Sequence, residues 1–135
     1  MELQEQALMA LRVVGAAFLG SLIGWEREKH GRDAGVRTYA AVALGSCVFA
    51  IISVSLGVDR IAAGVVTGVG FIGAGVIMQQ NKDVKNLTTA ASILIVAAIS
   101  VAVALNAFIV ASAVTLLTLA VNIGLTGLEK KIKNS

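Results

Sequence analysis

The chain has 135 residues, 57% of them hydrophobic and 14% charged, with 14 glycines, no proline and a formal net charge of +3. Soluble domains carry about 25% charged residues, and here residues 86–128 form 43 consecutive uncharged positions; as a helix that run measures roughly 64 Å, about twice the 30 Å hydrocarbon core of a bilayer. A soluble globular domain is therefore excluded, and a single cysteine and a single histidine also exclude a disulfide framework and a metal site built from several thiolates or imidazoles.

The first apolar segment covers residues 7–25. Glu2 and Glu5 precede it and the cations follow it, the reverse of a cleaved signal peptide, so it reads as a retained span. Arg12 lies about one and a half turns inside its outer end. Two readings are open: the guanidinium snorkels to the headgroups, or it faces the bundle interior, where ionisable groups find partners. For the second reading Asp59 is the candidate partner. Ala16, Gly20 and Gly24 recur at four-residue steps and stack on one face, which lets a neighbouring backbone approach closely.

The span ends in Trp25-Glu26-Arg27-Glu28, followed by Lys29, His30 and a loop through Arg32, Arg37 and Thr38. Trp25 belongs at the membrane interface. Carboxylates suit Mg²⁺, but on a continuing helix Glu26 and Glu28 point about 200° apart and cannot chelate one ion together. Glu26 with His30, and Glu28 with Arg32, are spaced as i, i+4 pairs. The cluster is either a local ion-pair anchor or a specific ion or partner site.

The second span covers residues 38–56, with Cys47 near its middle as a small packing residue. Cys47 and His30 are too far apart to make a nucleophile and its base, so no catalytic residues are expected. After Asp59 and Arg60 the third span runs over 61–78. Gly64, Gly68 and Gly75 fall within about 40° of one another, and Gly70 and Gly73 lie roughly opposite. Small residues on two faces place this helix at the centre of the bundle. Its Gly68-Val-Gly70-Phe-Ile-Gly73 string matches a dinucleotide-binding pattern in form alone, because an apolar span supplies neither the strand nor the turn which that mechanism requires. Asn86-Leu87-Thr88 is a formal glycosylation sequon that reads better as the N-cap of a fourth span over 88–105. A turn near Asn106, unmarked by glycine or proline, separates it from a fifth span over 107–125.

These segments are long enough for membrane helices and too long for barrel strands, so the expected fold is all-α, a polytopic five-span bundle in one domain. Arg27, Lys29, Arg32, Arg37, Lys82, Lys85, Lys130, Lys131 and Lys133 give nine loop or tail cations on one side against Arg60 alone on the other. That asymmetry places the N-terminus outside and the C-terminus in the cytoplasm.

Leu11-Arg12, then Gly20-Ser-Leu-Ile-Gly24-Trp-Glu26-Arg27-Glu28, Ala34-Gly35-Val-Arg37-Thr38, Gly68-Val-Gly70-Phe71-Ile-Gly73-Ala-Gly75-Val-Ile and Leu87-Thr88-Thr89-Ala90-Ala91 together resemble the membrane domain of the MgtC/SapB family. The resemblance implies a multi-pass protein of the bacterial or archaeal inner membrane, linked to growth under magnesium limitation and to virulence in pathogens, and closer to a regulator than to a transporter. It singles out Arg12, Glu26, Arg27, Glu28, Arg37, Thr38, Asp59, Arg60, Thr88 and Thr89, with the third-span glycines as packing positions. The chain departs from the family pattern at Gly64, where Gln is expected, at Asn86, Ser100 and Ala104, where Gly is, and at Leu94, where Trp is. The soluble domain that many relatives append is not expected here.

The expected function is a non-catalytic regulator or accessory in magnesium homeostasis, with a small oligomeric ion transporter or channel subunit as the alternative and a purely structural membrane module as a third reading. No cofactor and no metal site are expected. The expected partners are the lipid bilayer and another membrane protein or complex, with a homo-oligomer also open and nucleic acid excluded.

Overall fold

The computed structural model describes the backbone of residues 1–135 and every side chain except those of Gln79 and Gln80. The expected all-α bundle is present: α1 (Leu3–Lys29), α2 (Val36–Leu56), α3 (Asp59–Val76), α4 (Leu87–Ala104) and α5 (Phe108–Lys133) are all long and apolar enough to cross a membrane. Between α3 and α4 lies a short antiparallel hairpin, β1 (Met78–Gln80) and β2 (Asp83–Lys85), with Met78 opposite Lys85. The apolar run of the third span continues through Met78, but the helix does not. The helix stops at Val76 because Ile77 turns to an extended conformation, φ −74° and ψ 127°.

The two terminal helices outrun their apolar segments. Helix α1 has 27 residues and α5 has 26, about 40 Å each by helical rise, because their polar flanks continue the helix. The backbone N–H of Glu2 donates to the Glu5 carboxylate at 3.2 Å, satisfying a free donor at the start of α1. Lys130, Lys131 and Lys133 occupy the last turn of α5, where cations favour the negative end of the helix dipole.

The centre of the bundle is α4, not α3. Helix α4 packs against α1, α2, α3 and α5, and its inward face is built from small or branched residues, Ser92, Ile93, Val96, Ala97, Ser100, Val103 and Ala104. Helix α3 lies at the edge, packed against α2 and α4, with only Val65, Val69 and Gly73 buried. A methyl group placed on Gly64, Gly68, Gly70 or Gly75 would meet nothing within 4 Å, while one on Gly73 would touch Ala90. Glycine spacing reports that a face is smooth but not what covers it, and alanine and serine give α4 an equally smooth face. In α1, by contrast, Gly20 and Gly24 sit against α2. A Cβ on Gly20 would stand 2.8 Å from the Ala43 Cβ, and one on Gly24 would stand 2.8 Å from the Val36 Cα.

Asn86 does occupy the N-cap position of α4, but not in the capping manner expected of it. Its φ is +67° and its side chain makes no cap bond; Nδ2 instead donates to the Val76 carbonyl at 3.0 Å, tying the start of α4 to the end of α3. Positive φ explains why a glycine is the family expectation there, since glycine and asparagine both tolerate the left-handed region. Asn106 takes the same conformation, φ +63°, in the turn between α4 and α5. Asn86→Gly is expected to cost no more than about 1 kcal/mol, the worth of one hydrogen bond. Asn86→Val adds backbone strain of about 1–2 kcal/mol and is expected to melt visibly earlier in detergent than the glycine variant.

Candidate functional site

Helix α1 carries its polar end into the bundle. Glu26 and Arg27 are 3% and 2% exposed, although neighbouring residues on a helix point about 100° apart. Both can be buried because α1 is flanked there on two sides, by α5 on the Glu26 side and by α4 on the Arg27 side. The Glu26 carboxylate lies 3.2 Å from His30 Nδ1, which also meets the Glu26 carbonyl oxygen at 2.7 Å, and it accepts a long bond from Asn122 Nδ2 at 3.5 Å. The same Asn122 amide reaches Ser92 Oγ, also at 3.5 Å. Arg27 Nη2 donates to Thr89 Oγ1 at 3.1 Å, and the fully buried Tyr39 hydroxyl donates to the Thr89 carbonyl at 3.4 Å. Residues of α1, α2, α4 and α5 thus meet in one buried polar cluster. Glu26 and Arg27 do not pair with each other, and Arg27 Nε has no hydrogen-bond partner among the described residues.

The other residues marked in the sequence fall into three places. Glu28 is exposed and lies over Gly35, where an added Cβ would stand 2.5 Å from its Oε1. The expected Glu28–Arg32 pair is absent because α1 ends at Lys29 and Gly31 adopts φ +71°, which takes Arg32 off the helical register. Arg37, Thr38 and Thr88 are exposed in the first turns of α2 and α4 at this same end. Trp25 is exposed and carries the Lys29 ammonium 4.9 Å from its ring centroid.

At the opposite end, Asp59 and Arg60 are exposed in the first turn of α3, where an acidic residue favours the helix dipole. Arg12 does not pair with Asp59. Its Nη1 donates to the carbonyl of Ala104, the last residue of α4, at 3.3 Å. The final carbonyls of a helix lack intrahelical donors and carry partial negative charge, and they stand in reach of α1. Half-buried Arg12 therefore faces protein rather than lipid. Arg12 and Glu26 are separated along α1 by about 21 Å of helical rise and belong to different sites.

Sequence reasoning missed Tyr39, Ser92 and Asn122. Asn122 carried a usable signal, being the one amide in the apolar stretch 107–128, and buried amides in membrane helices serve as interhelical bonds. Cys47 is buried, as expected of a packing residue. Among the described residues no three histidine, cysteine, aspartate or glutamate side chains stand close enough to share a metal ion.

Five membrane-crossing helices locked at one end by a buried acid, guanidinium, phenol and amide define a small polytopic membrane protein. The chain belongs to the MgtC family, whose profile matches residues 13–131. It is 42% identical to Protein MgtC of Salmonella typhimurium over 96% of this chain and 59% of that protein. It is 41% identical to YhiD of Escherichia coli (strain K12), whose name makes it a candidate magnesium transporter, over 82% of this chain and 59% of that protein. Protein MgtC of Brucella abortus is 39% identical over 82% of this chain and 48% of its own length. The chain thus spans about three-fifths of the first two relatives. No solved structure matches it.

Proposed function

We propose that the chain is a non-catalytic protein of the inner membrane, with its N-terminus outside and its C-terminus in the cytoplasm, that serves magnesium homeostasis by acting on another membrane protein. The names of the MgtC and YhiD relatives support the physiological setting, and the nine-to-one cation asymmetry supports the orientation. The observation that carries the choice of regulator over transporter is the placement of polar groups. The buried hydroxyls of Ser100, Thr115 and Thr118 each bond the carbonyl four residues earlier on their own helix, at 2.7–2.8 Å, so they line no relay. The charged side chains gather at the two ends of the bundle, whereas ion-coupled transporters normally place one near the midplane. The partner surface in this reading is α3, whose Gly64 and Gly68 are open in the groove it forms with α2, a cavity of about 470 Å³ that also includes Phe49.

The name of YhiD favours the second reading, transport. Purified protein in liposomes loaded with a magnesium-sensitive dye separates the two. The expected result is no flux above empty liposomes, together with crosslinking in cells to a membrane protein through cysteines placed at positions 64 and 68. Robust magnesium flux that is lost in Glu26→Gln would overturn the regulator and establish the transporter.

A further inference from the structure

The structure assigns a ligand site that adjoins the buried cluster at Arg27 and Thr89: a pocket at the basic end of the bundle that binds a phosphate group. The pocket has a volume of about 590 Å³ and lies between the start of α4, the hairpin and the end of α5. Arg27, Arg32, Lys85, Lys130 and Lys133 line it against a single carboxylate, Glu129, which is already engaged by Lys133 at 3.7 Å.

Two independent observations point to an anion there. The first is the start of α4, whose leading residues Leu87, Thr88 and Thr89 also line the pocket. The first backbone N–H groups of a helix lack internal acceptors, and the natural cap, Asn86, has turned its side chain to Val76. Those donors are left without a side-chain cap at the pocket wall, at the positive end of the helix dipole. The second is Arg27. It is 2% exposed, it lines this pocket, it donates from Nη2 to Thr89, and its Nε has no hydrogen-bond partner among the described residues. No carboxylate pairs with it among the described residues. Burying a guanidinium without a counter-charge is costly, and an acceptor-only ligand in the pocket supplies that charge.

A phosphate group fits these donors better than a carboxylate does. Its oxygens spread tetrahedrally, so one group can take a guanidinium fork and helix N–H donors together. The volume leaves room for the remainder of a phosphate-bearing molecule. Because the pocket opens where the helices leave the membrane, the group can come from an anionic lipid headgroup or from a soluble phosphate.

The full chain in nanodiscs tests this by its thermal unfolding midpoint. In phosphatidylglycerol discs, compared with phosphatidylcholine discs, a higher midpoint is expected for the wild type. In phosphatidylcholine discs inorganic phosphate is titrated against sodium chloride of equal ionic strength. A response to phosphatidylglycerol identifies the lipid source, and a response to phosphate alone identifies the soluble one. Either response should weaken in Lys85→Gln/Lys130→Gln, by about fivefold in affinity per lysine, and vanish in Arg27→Gln. The control is Lys82→Gln/Lys131→Gln, which removes the same charge outside the pocket. No response to either probe, or equal weakening in the two double variants, overturns the site; the lysine pairs keep the test decisive if Arg27→Gln fails to fold.

Discussion

Gly24→Ala is expected to lower the stability of the bundle by about 3 kcal/mol or more, while Gly68→Ala leaves it unchanged or raises it slightly. The two changes add the same methyl group to the same kind of membrane helix. At Gly24 that methyl would stand 2.8 Å from the Val36 Cα and 3.1 Å from the Gly35 carbonyl oxygen, both main-chain atoms that no rotamer change can move. Overpacking usually costs about 1–3 kcal/mol, and most where the backbone must yield. At Gly68 the methyl meets nothing within 4 Å, and alanine is the better helix former by up to about 1 kcal/mol. Thermal melts of the two variants in one detergent give the comparison directly. Equal melting temperatures would mean that α1 and α2 do not approach as closely as described.

Asn122→Leu is the second large effect expected, a loss of about 1–3 kcal/mol. The leucine leaves the Glu26 carboxylate with His30 alone and removes the amide that joins it to Ser92, and stranding a buried acceptor costs more than the bond itself was worth. Glu26→Leu made on top of Asn122→Leu should recover part of the loss, because replacing both members of a buried polar pair by apolar groups is often close to neutral. The double-mutant cycle, read by chemical denaturation, therefore yields a coupling of the order of 1 kcal/mol between residues 96 positions apart. Additive losses with no coupling would show that the 3.5 Å contact does not join α1 to α5.

How much of this was legible in the sequence depended on the physics of each feature. Span count followed from hydrophobic length, a property of the chain alone, and all five spans were found. Helix ends were less legible, since α1 and α5 continue through polar flanks that hydrophobicity does not register. The interior position of α4 was not legible, because glycine, alanine and serine all make smooth faces and spacing does not tell which face has a neighbour. At the site, the Glu26–His30 pair follows from helical spacing and is present. The Glu28–Arg32 pair follows from the same rule and is absent, because the rule presumes a helix that a left-handed Gly31 has already ended. Arg12 was recognised as a residue in need of a partner, but its partner is a backbone carbonyl, and no side-chain pattern announces one. Tyr39 and Thr89, which meet at one carbonyl, are separated by 50 residues, a distance only tertiary packing can close.

The bonds made by Arg12 and Arg27 have a mechanical consequence. One grips the last residue of α4 and the other its first turn, so α1 clamps α4 at both ends like a splint. Sliding either helix by one turn, about 5.4 Å, breaks both grips at once, and rotation alone strains both. The α1–α4 pair is therefore the fixed frame of the molecule. A partner that leans on the outer face of α3, which packs on α4, pushes against a strut that resists sliding.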